Sequence, residues 1–135
     1  MIRAVLDTNV YVSAFIGSVN SRSIINLILE NRLRVFTSTA ILSELREVLL
    51  RPKFKLNPAQ VTRFVAEVES SADVVEPEKK IINFCRDSGD HIILECVMKS
   101  SADYLITGDD DLLVLKQFLG TTIISPADFL GLCRL

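Results

Sequence analysis

The chain has 135 residues, the length of a single domain, and 49% of them are hydrophobic, which is enough to fill a core. Its net charge of −2 excludes a protein that holds nucleic acid by overall positive charge, and no apolar run approaches the roughly 20 residues of a membrane span. The first residues lack the apolar region and cleavage site of a signal peptide, which predicts a cytoplasmic protein. One histidine and three scattered cysteines without a C-x-x-C pair do not favour histidine-based catalysis or a zinc site.

Five short runs rich in apolar residues are predicted to be strands. The first of them ends at an acid, Asp7, and is typical of a buried strand in a parallel sheet. The predicted strands are residues 2–6, 34–37, 73–75, 103–107 and 121–125.

Helical spacing of apolar residues separates these strands. Residues 17–23 are predicted to form a turn, Pro52 ends one helix, and Asn57 followed by Pro58 predicts an N-cap and a first helical residue. The predicted helices are residues 10–16, 24–31, 41–50, 58–68, a segment that follows Asp90, 112–118 and 126–132. Alternating strands and helices predict one α/β domain over residues 1–135, with a mainly parallel sheet covered on both faces.

Acidic residues follow the predicted strands or precede the predicted helices at well-separated places. Asp7 and Asp109 follow strands, Asp111 is close to Asp109, Asp90 precedes a helix, and Glu44 lies on a helix. Ligands of open α/β sheets bind beyond the carboxyl ends of the strands, so these carboxylates are expected to share one cavity. Gathered carboxylates repel one another unless a cation offsets them, and oxygen ligands suit Mg²⁺ or Mn²⁺. Such ions serve phosphodiester hydrolysis, and that chemistry needs no protein nucleophile.

Each acid also has an ordinary structural explanation. Asp7 could form a turn with the residues that follow it, Asp90 and Asp109 could cap helices, and Glu44 could pair with a surface arginine. Taken singly, these explanations are favoured over a metal site. Taken together they are not, because capping does not require so many acids at the junctions between strands and helices.

The densest basic segment is R-P-K-F-K, which begins at Arg51. Arg51 and Lys53 could hold a phosphate backbone while Phe54 stacks a base, or the segment could simply be a solvated helix exit, and the two interpretations are equally favoured. His91 could contact a phosphate, but an imidazole with a local partner is the favoured interpretation.

The ordered set of motifs resembles the PIN-domain ribonucleases. The matching segments are V-L-D-T-N, S-E-L-R-E-V-L-L-R-P-K-F, C-R-D-x-x-D, A-D-Y-L-I-T-G-D-x-D-L-L and I-I-S-P-A-D-F-L, which span nearly the whole chain. The likeness is greatest to the branch described as toxin components of toxin–antitoxin pairs, and it extends more distantly to the VapC-like toxins. It implies a single three-layer α/β/α domain that hydrolyses RNA with Mg²⁺ or Mn²⁺.

The resemblance also implies roles for individual residues. Asp7, Glu44, Asp90 and Asp109 match the catalytic, metal-binding acids, and Asp111 matches a further metal ligand. The same comparison assigns Thr8 and Asn9 to orienting the first aspartate, and Thr107 to a hydroxyl that lines the site. It implies an RNA substrate, a small antitoxin protein that blocks the cleft, and a homodimer.

The third motif departs from that branch, where it often reads D-P-D-D-N-K. Here Gly89 replaces one acid and Ile92 replaces the lysine, which motivates an alternative: a PIN-like module that binds RNA or protein without cutting it. A third alternative, a phosphatase of the haloacid-dehalogenase type, requires an acid two residues after the first aspartate, and the chain has Asn9 there.

Overall fold

The six strands of the fold form one sheet in a computed structural model, which describes residues 1–77 and 88–133 and gives only the backbone for residues 88–90. The strands are β1 (Arg3–Leu6), β2 (Arg34–Thr37), β3 (Asp73–Val74), β4 (Tyr104–Ile106), β5 (Gln117–Phe118) and β6 (Thr121–Ile124). Their order across the sheet is β3-β2-β1-β4-β6-β5. All neighbours are parallel except β5, which pairs antiparallel with β6. The predicted mainly parallel sheet is confirmed.

Helices connect the parallel strands. They are α1 (Thr8–Ile16), α2 (Val19–Leu29), α3 (Thr39–Leu49), α4 (Pro58–Ser71), α5 (Ser88–Ser100), α6 (Asp110–Leu113) and α7 (Pro126–Cys133), with a short 3-10 helix at Pro52–Phe54. The Ser38 hydroxyl caps α3 by accepting from the Ile41 amide, and Gly17 closes α1 in the left-handed region at φ 112°. None of the helices within the described ranges is long and apolar enough to cross a membrane alone; the pair α1 and α2 passes that test only together, across a bend of 104°.

The core is divided into two apolar clusters by the sheet. In β1, Ala4 and Leu6 belong to the larger cluster, whereas Val5 belongs to the smaller one, and none of the three is exposed. Because successive side chains of a strand point to opposite faces, the two clusters lie on opposite faces of the sheet. Residues of α1, α2, α4 and α7 fill the larger cluster, and residues of α5 such as Ile93 fill the smaller one. The predicted three-layer α/β/α arrangement is confirmed.

Three predictions about local structure are wrong. The predicted turn at 17–23 is only Gly17 and Ser18, because Ser21 and Ile24 are buried in α2 and packing outweighs the weak helix preference of serine and asparagine. Phe118 is not helical, because α6 already ends at Leu113. Lys116 then adopts a positive φ of 62°, and Phe118 pairs with Thr121 in the β5–β6 hairpin. Asp90 lies inside the first turn of α5 rather than before the helix.

The N-terminus of α4 provides a quantitative test of the capping argument. The Asn57 side chain accepts a hydrogen bond from the Ala59 amide at 2.8 Å, and Pro58 follows at the first helical position. We expect Asn57→Ala to lower the free energy of unfolding by about 1 kcal/mol. Urea denaturation would measure this, with Asn57→Asp as the control that keeps a capping oxygen. Equal stability of Asn57→Ala and the parent chain would contradict the capping role.

Candidate active site

Asp7 lies at the carboxyl end of the central strand β1 and is only 6% exposed. The strand pairing continues into it, since its amide donates to the Ile106 carbonyl at 3.0 Å. The Thr107 hydroxyl donates to Oδ2 of Asp7 at 2.7 Å. Asp7 stands at the N-cap position of α1 without a well-formed capping hydrogen bond, but the amides of Thr8 and Asn9 approach its carboxylate closely enough to oppose the rise in its pKa.

Asp109 is joined to Asp7 through the same hydroxyl. Its amide donates to Oγ1 of Thr107 at 3.0 Å, and its own Oδ1 accepts from the Asp111 amide at 2.9 Å. Asp109 is therefore the N-cap of α6, as the capping explanation predicts, while Asp111 is exposed in the first turn of that helix. Because Thr107 accepts from Asp109 and donates to Asp7, its hydroxyl hydrogen has a single direction, and the two acidic loops are fixed to each other.

Burial raises the pKa of the Asp7 carboxyl above its ordinary value. The hydrogen bond from Thr107 opposes this shift, and the negative charge of Asp109 adds to it. Asp7 is thus a desolvated carboxylate with a second carboxylate beside it. A bound cation would relieve both the desolvation and the repulsion, so the pair fits a divalent ion by the chemistry of its donors.

The backbone of Asp90 comes to the same edge of the sheet. Arg3, at the start of β1, donates from Nη2 to the carbonyl of Ser100, the last residue of α5, at 2.7 Å. Asp90 precedes Ser100 by ten residues, about 15 Å of helix, and Asp7 follows Arg3 by four residues, about 13 Å of strand. Because α5 leads into β4, which is parallel to β1, the helix runs antiparallel to the strands and begins on the side of their carboxyl ends. The side chain of Asp90 lies outside the described residues.

Glu44 lies in the middle of α3 and is half-buried, with Oε2 fully buried. Ile41 precedes it by one turn and belongs to the smaller cluster together with residues of α5, so Glu44 lies on the side of α3 that approaches α5. Within residues 1–77 and 91–133, no group of three or more aspartate, glutamate, histidine or cysteine side chains is close enough to hold a metal ion. The structure therefore brings Asp7 and Asp109 together and does not bring Glu44 into a three-ligand group with them.

The side chain that contacts the Asp7 carboxylate is not one of the two, Thr8 and Asn9, that the resemblance assigns to orienting it. Thr8 is 1% exposed, and its Oγ1 has no hydrogen-bond partner in the described part of the chain, while Asn9 is exposed. The hydroxyl that reaches Asp7 is Thr107, a residue singled out only through the family resemblance. Thr37, which the sequence places at the end of the predicted strand 34–37, ends β2 next to β1 and is fully buried. The position of Thr37 at the end of a predicted strand was the sequence signal that could have pointed to this edge of the sheet.

The basic segment begins at the far end of α3. Arg51 follows the C-cap Leu50, and the 11 residues of α3 place it roughly 16 Å along the helix from Ser38, which lies at the carboxyl end of β2. Lys53 is exposed, and its Nζ lies 5.0 Å from the centroid of the Phe54 ring. Phe54 is partly buried against the larger cluster. One ring face is therefore already occupied by a cation, so Phe54 offers little surface to a base.

Comparisons with known proteins agree with this architecture. A family model described as PIN domain matches residues 3–111. An uncharacterized protein from Methanocaldococcus jannaschii is 32% identical over 120 residues, which cover 86% of this chain and 76% of that protein. The fold is similar to that in the crystal structure of VapBC2 from Rickettsia felis bound to a DNA fragment from their promoter, with a TM-score of 0.64 and 15% identity over 92% of this chain and 98% of that one. The chain belongs to the PIN-domain family.

Proposed function

We propose that this protein is a divalent-metal-dependent endoribonuclease whose active site is the carboxyl edge of the sheet around Asp7. PIN domains are generally nucleases that use divalent metals, and this chain is a member of the family. The observation that carries the proposal is the hydrogen-bonded unit of Asp7, Thr107 and Asp109, in which the Thr107 hydroxyl donates to the Asp7 carboxylate and accepts from the Asp109 amide. This unit links the acidic residues that follow two neighbouring parallel strands. An acid buried to this extent without a basic partner is costly to the fold, and a metal-dependent reaction would explain its presence.

The proposed ligand set is Asp7, Glu44, Asp90 and Asp109, with Asp111 as a further ligand. Mg²⁺ or Mn²⁺, when bound, activates water for attack on the phosphorus and neutralises charge on the phosphoryl oxygens. Other residues of the chain fix the orientation of these carboxylates. Thr107 holds one oxygen of Asp7 and thereby fixes its orientation, and the amide of Asp111 does the same for Asp109. The buried surroundings of Asp7 exclude water from one side of the site.

The partner proposal rests on the resemblance of the motifs to the toxin components of toxin–antitoxin pairs and on the fold shared with VapBC2. We expect RNA as the substrate, a small antitoxin protein as an inhibitor and a homodimer as a further assembly. An antitoxin arginine would satisfy the carboxylates in place of the metal ions that the anionic RNA needs. Such an arginine would compete with Mg²⁺ or Mn²⁺ for Asp7 and Asp109.

The decisive experiment is cleavage of an end-labelled single-stranded RNA by the full chain with Mg²⁺, with Mn²⁺ and with EDTA. We expect cleavage with the metals only, giving 5′-phosphate and 3′-hydroxyl ends. An Asp7→Asn protein purified by the same route controls for contaminating ribonuclease. Cleavage that survives EDTA, or that is equal in the variant, would reject the proposed site.

A second candidate function is an RNA- or protein-binding module that does not cut. It is favoured by the lack of a third acid close to Asp7 and Asp109 within residues 1–77 and 91–133, and by Gly89 and Ile92 in the third motif. Retention of RNA on a filter without cleavage under any metal would select this candidate.

Arg51 and Lys53 remain proposed substrate contacts, and their position predicts a particular kinetic effect. Because they lie at the far end of α3, they can hold RNA that extends beyond the scissile bond but cannot act on the reacting phosphate. We expect the double substitution Arg51→Ala and Lys53→Ala to raise KM by roughly three- to tenfold with kcat unchanged, since both charges are solvent-exposed. Steady-state cleavage rates at two salt concentrations would measure this.

A double variant that removes two positive charges elsewhere, Arg32→Ala with Lys116→Ala, is the matched control and should leave KM unchanged. A fall in kcat for the Arg51 and Lys53 variant would contradict the assignment.

A further inference from the structure

An open groove lies between the end of α1 and the first half of α4, on the side of the sheet that carries the larger cluster. It has a volume of about 380 Å³ and is lined by Phe15, Gln60, Arg63, Phe64 and Glu67. This volume is in the range of sites that hold small molecules. Because the groove opens directly to solvent, a group of that size can enter it from the surface.

Two aromatic rings form the apolar part of the groove. The ring centroids of Phe15 and Phe64 are 4.8 Å apart, and the ring planes are tilted by 59°. Each ring packs against the larger cluster but keeps part of its surface exposed, and that part lines the groove. Aromatic side chains presented in this way are a stacking surface for a nucleobase, since every base has a flat π face.

The polar part of the groove carries one positive and one negative group. Arg63 and Glu67 lie one turn apart on α4, both are exposed, and neither forms an ion pair with any residue that the structure describes. A guanidinium binds a phosphate strongly, whereas a carboxylate repels phosphate and accepts hydrogen bonds from the amino groups of bases. The two charges therefore favour a base inside the groove, with its phosphate on the side of Arg63.

The groove lies within reach of both the proposed active site and the basic segment. α1 starts directly after Asp7, and Phe15 follows eight residues later, about 12 Å along the helix. That length corresponds to roughly three or four stacked nucleotides at ~3.4 Å each. None of the residues of α1 is charged, so nothing on this helix repels an RNA strand. On the other side, α4 begins three residues after Lys55, which ends the basic segment.

We propose that this groove binds one unpaired base of the RNA, a few nucleotides from the scissile phosphate. The base stacks on Phe15 and Phe64, and Arg63 binds the adjoining phosphate. The inference rests on the proposed function only in taking RNA as the ligand. The groove holds the strand and takes no part in the reaction at the phosphorus. It gives the protein a preference for single-stranded RNA, because a base inside a duplex is not free to stack on a side chain.

The test compares an oligouridine with an oligomer of the same length whose backbone carries no bases. Fluorescence anisotropy in EDTA at low salt would give the affinity of the full chain for each labelled oligomer without cleavage. Their ratio isolates the contribution of the bases, because the phosphates are the same in both. We expect the parent chain to favour the oligouridine by at least about tenfold, and Phe64→Leu to lower the ratio by about tenfold, the value of one stacked base.

Two further variants control the measurement. Phe54 packs against the same cluster but does not line the groove, so Phe54→Leu should leave the ratio unchanged. Arg63→Ala removes a charge without removing a ring, so it should weaken the binding of both oligomers alike and also leave the ratio unchanged. Melting curves confirm that each variant folds.

An unchanged ratio in Phe64→Leu would overturn the base site, and loss of a dimer in that variant would then assign the groove to a second copy of the chain. Equal affinity of the parent chain for the two oligomers, or no binding of either, would overturn it as well. If Phe64→Leu does not fold, ultraviolet crosslinking of the parent chain to an RNA that contains 4-thiouridine replaces it. Crosslinks that map only outside Phe15 and residues 60–67 would then reject the site.

The outcome is distinguishable from that of the cleavage assay. A chain that shows the expected ratio but cuts no RNA would keep the base site and lose the proposed nuclease activity. Metal-dependent cleavage by a chain with equal affinity for the two oligomers would keep the nuclease and lose the base site.

Discussion

Replacing Asp7 by asparagine should reduce metal-dependent RNA cleavage by more than a hundredfold while the domain stays folded. Even partners that only orient metal ligands cost 10- to 100-fold when they are removed, so loss of a charged ligand itself should exceed roughly 100-fold. The fold should survive because an asparagine oxygen can still accept from the Thr107 hydroxyl. Single-turnover cleavage with Mn²⁺ would measure the effect.

Asp110→Asn is the matched control, since it removes the same charge from an exposed residue in the first turn of α6. It should cut at close to the parent rate. Loss of activity in both variants would show that the overall negative charge of the cleft, and not the Asp7 carboxylate, is what the reaction needs.

Asp7→Asn should also raise the free energy of unfolding in the absence of metal. Burial raises the pKa of Asp7 in the folded state, so between the unfolded value, about 3.9, and that higher value the folded chain binds more protons than the unfolded chain. The contribution of Asp7 to stability therefore falls as pH rises through this window, and the penalty is complete once the pH exceeds the folded-state pKa. Urea denaturation in EDTA should find Asp7→Asn more stable than the parent chain at pH 7, with the difference vanishing below about pH 4.

Replacing Thr107 by valine is the second substitution with a large expected effect. Valine keeps the shape but removes the hydroxyl that donates to Asp7 and accepts from the Asp109 amide. We expect cleavage to fall by roughly 10- to 100-fold, because the Asp7 carboxylate loses its fixed orientation and the Asp109 backbone loses its link to Asp7. The free energy of unfolding should fall by about 1–3 kcal/mol, because a buried hydrogen-bonding network is broken. Cleavage assays and urea denaturation would measure the two effects.

Thr121 provides a control of the same residue type. It is also buried, and its hydroxyl donates to the Ala102 carbonyl away from the acids, so Thr121→Val should lose stability without losing cleavage per folded molecule. Thr107→Ser, which keeps the hydroxyl, should restore most of the activity. Parent-like cleavage by Thr107→Val would remove this residue from the site.

The parts of the fold that the sequence predicts are those with a strong local signal. β2 follows from a short apolar run, α3 follows from helical spacing that Pro52 ends, and α4 follows from Asn57 and Pro58. The start of α2 was hidden because its serines favour turns in isolation, and their burial is a tertiary effect. The sequence does not predict β5, because a strand of two residues is too short to show the alternation of apolar and polar side chains.

The candidate site divides in the same way. The approach of Asp7 to Asp109 follows from one rule, since both end neighbouring strands of a parallel sheet. Whether the Glu44 side chain reaches these two acids does not follow from the sequence. It depends on how α3 packs against α1 and α5, which no local pattern encodes. Likewise, the choice of Thr107 over Thr8 as the partner of Asp7 depends on side-chain directions set by the whole edge of the sheet.

The hydrogen bond between Thr107 and Asp7 joins residues that are 100 positions apart, and it has a consequence for how the protein is made. At a typical synthesis rate, roughly 5–20 s separate the two residues on the ribosome. During that interval the growing chain carries Asp7 and Glu44 but lacks β4, against which β1 must pair on that side. Until β4 emerges, the hydrogen bond between Thr107 and Asp7 cannot form, so the nascent chain lacks the unit on which the proposed nuclease activity rests and acquires it only when the central sheet closes.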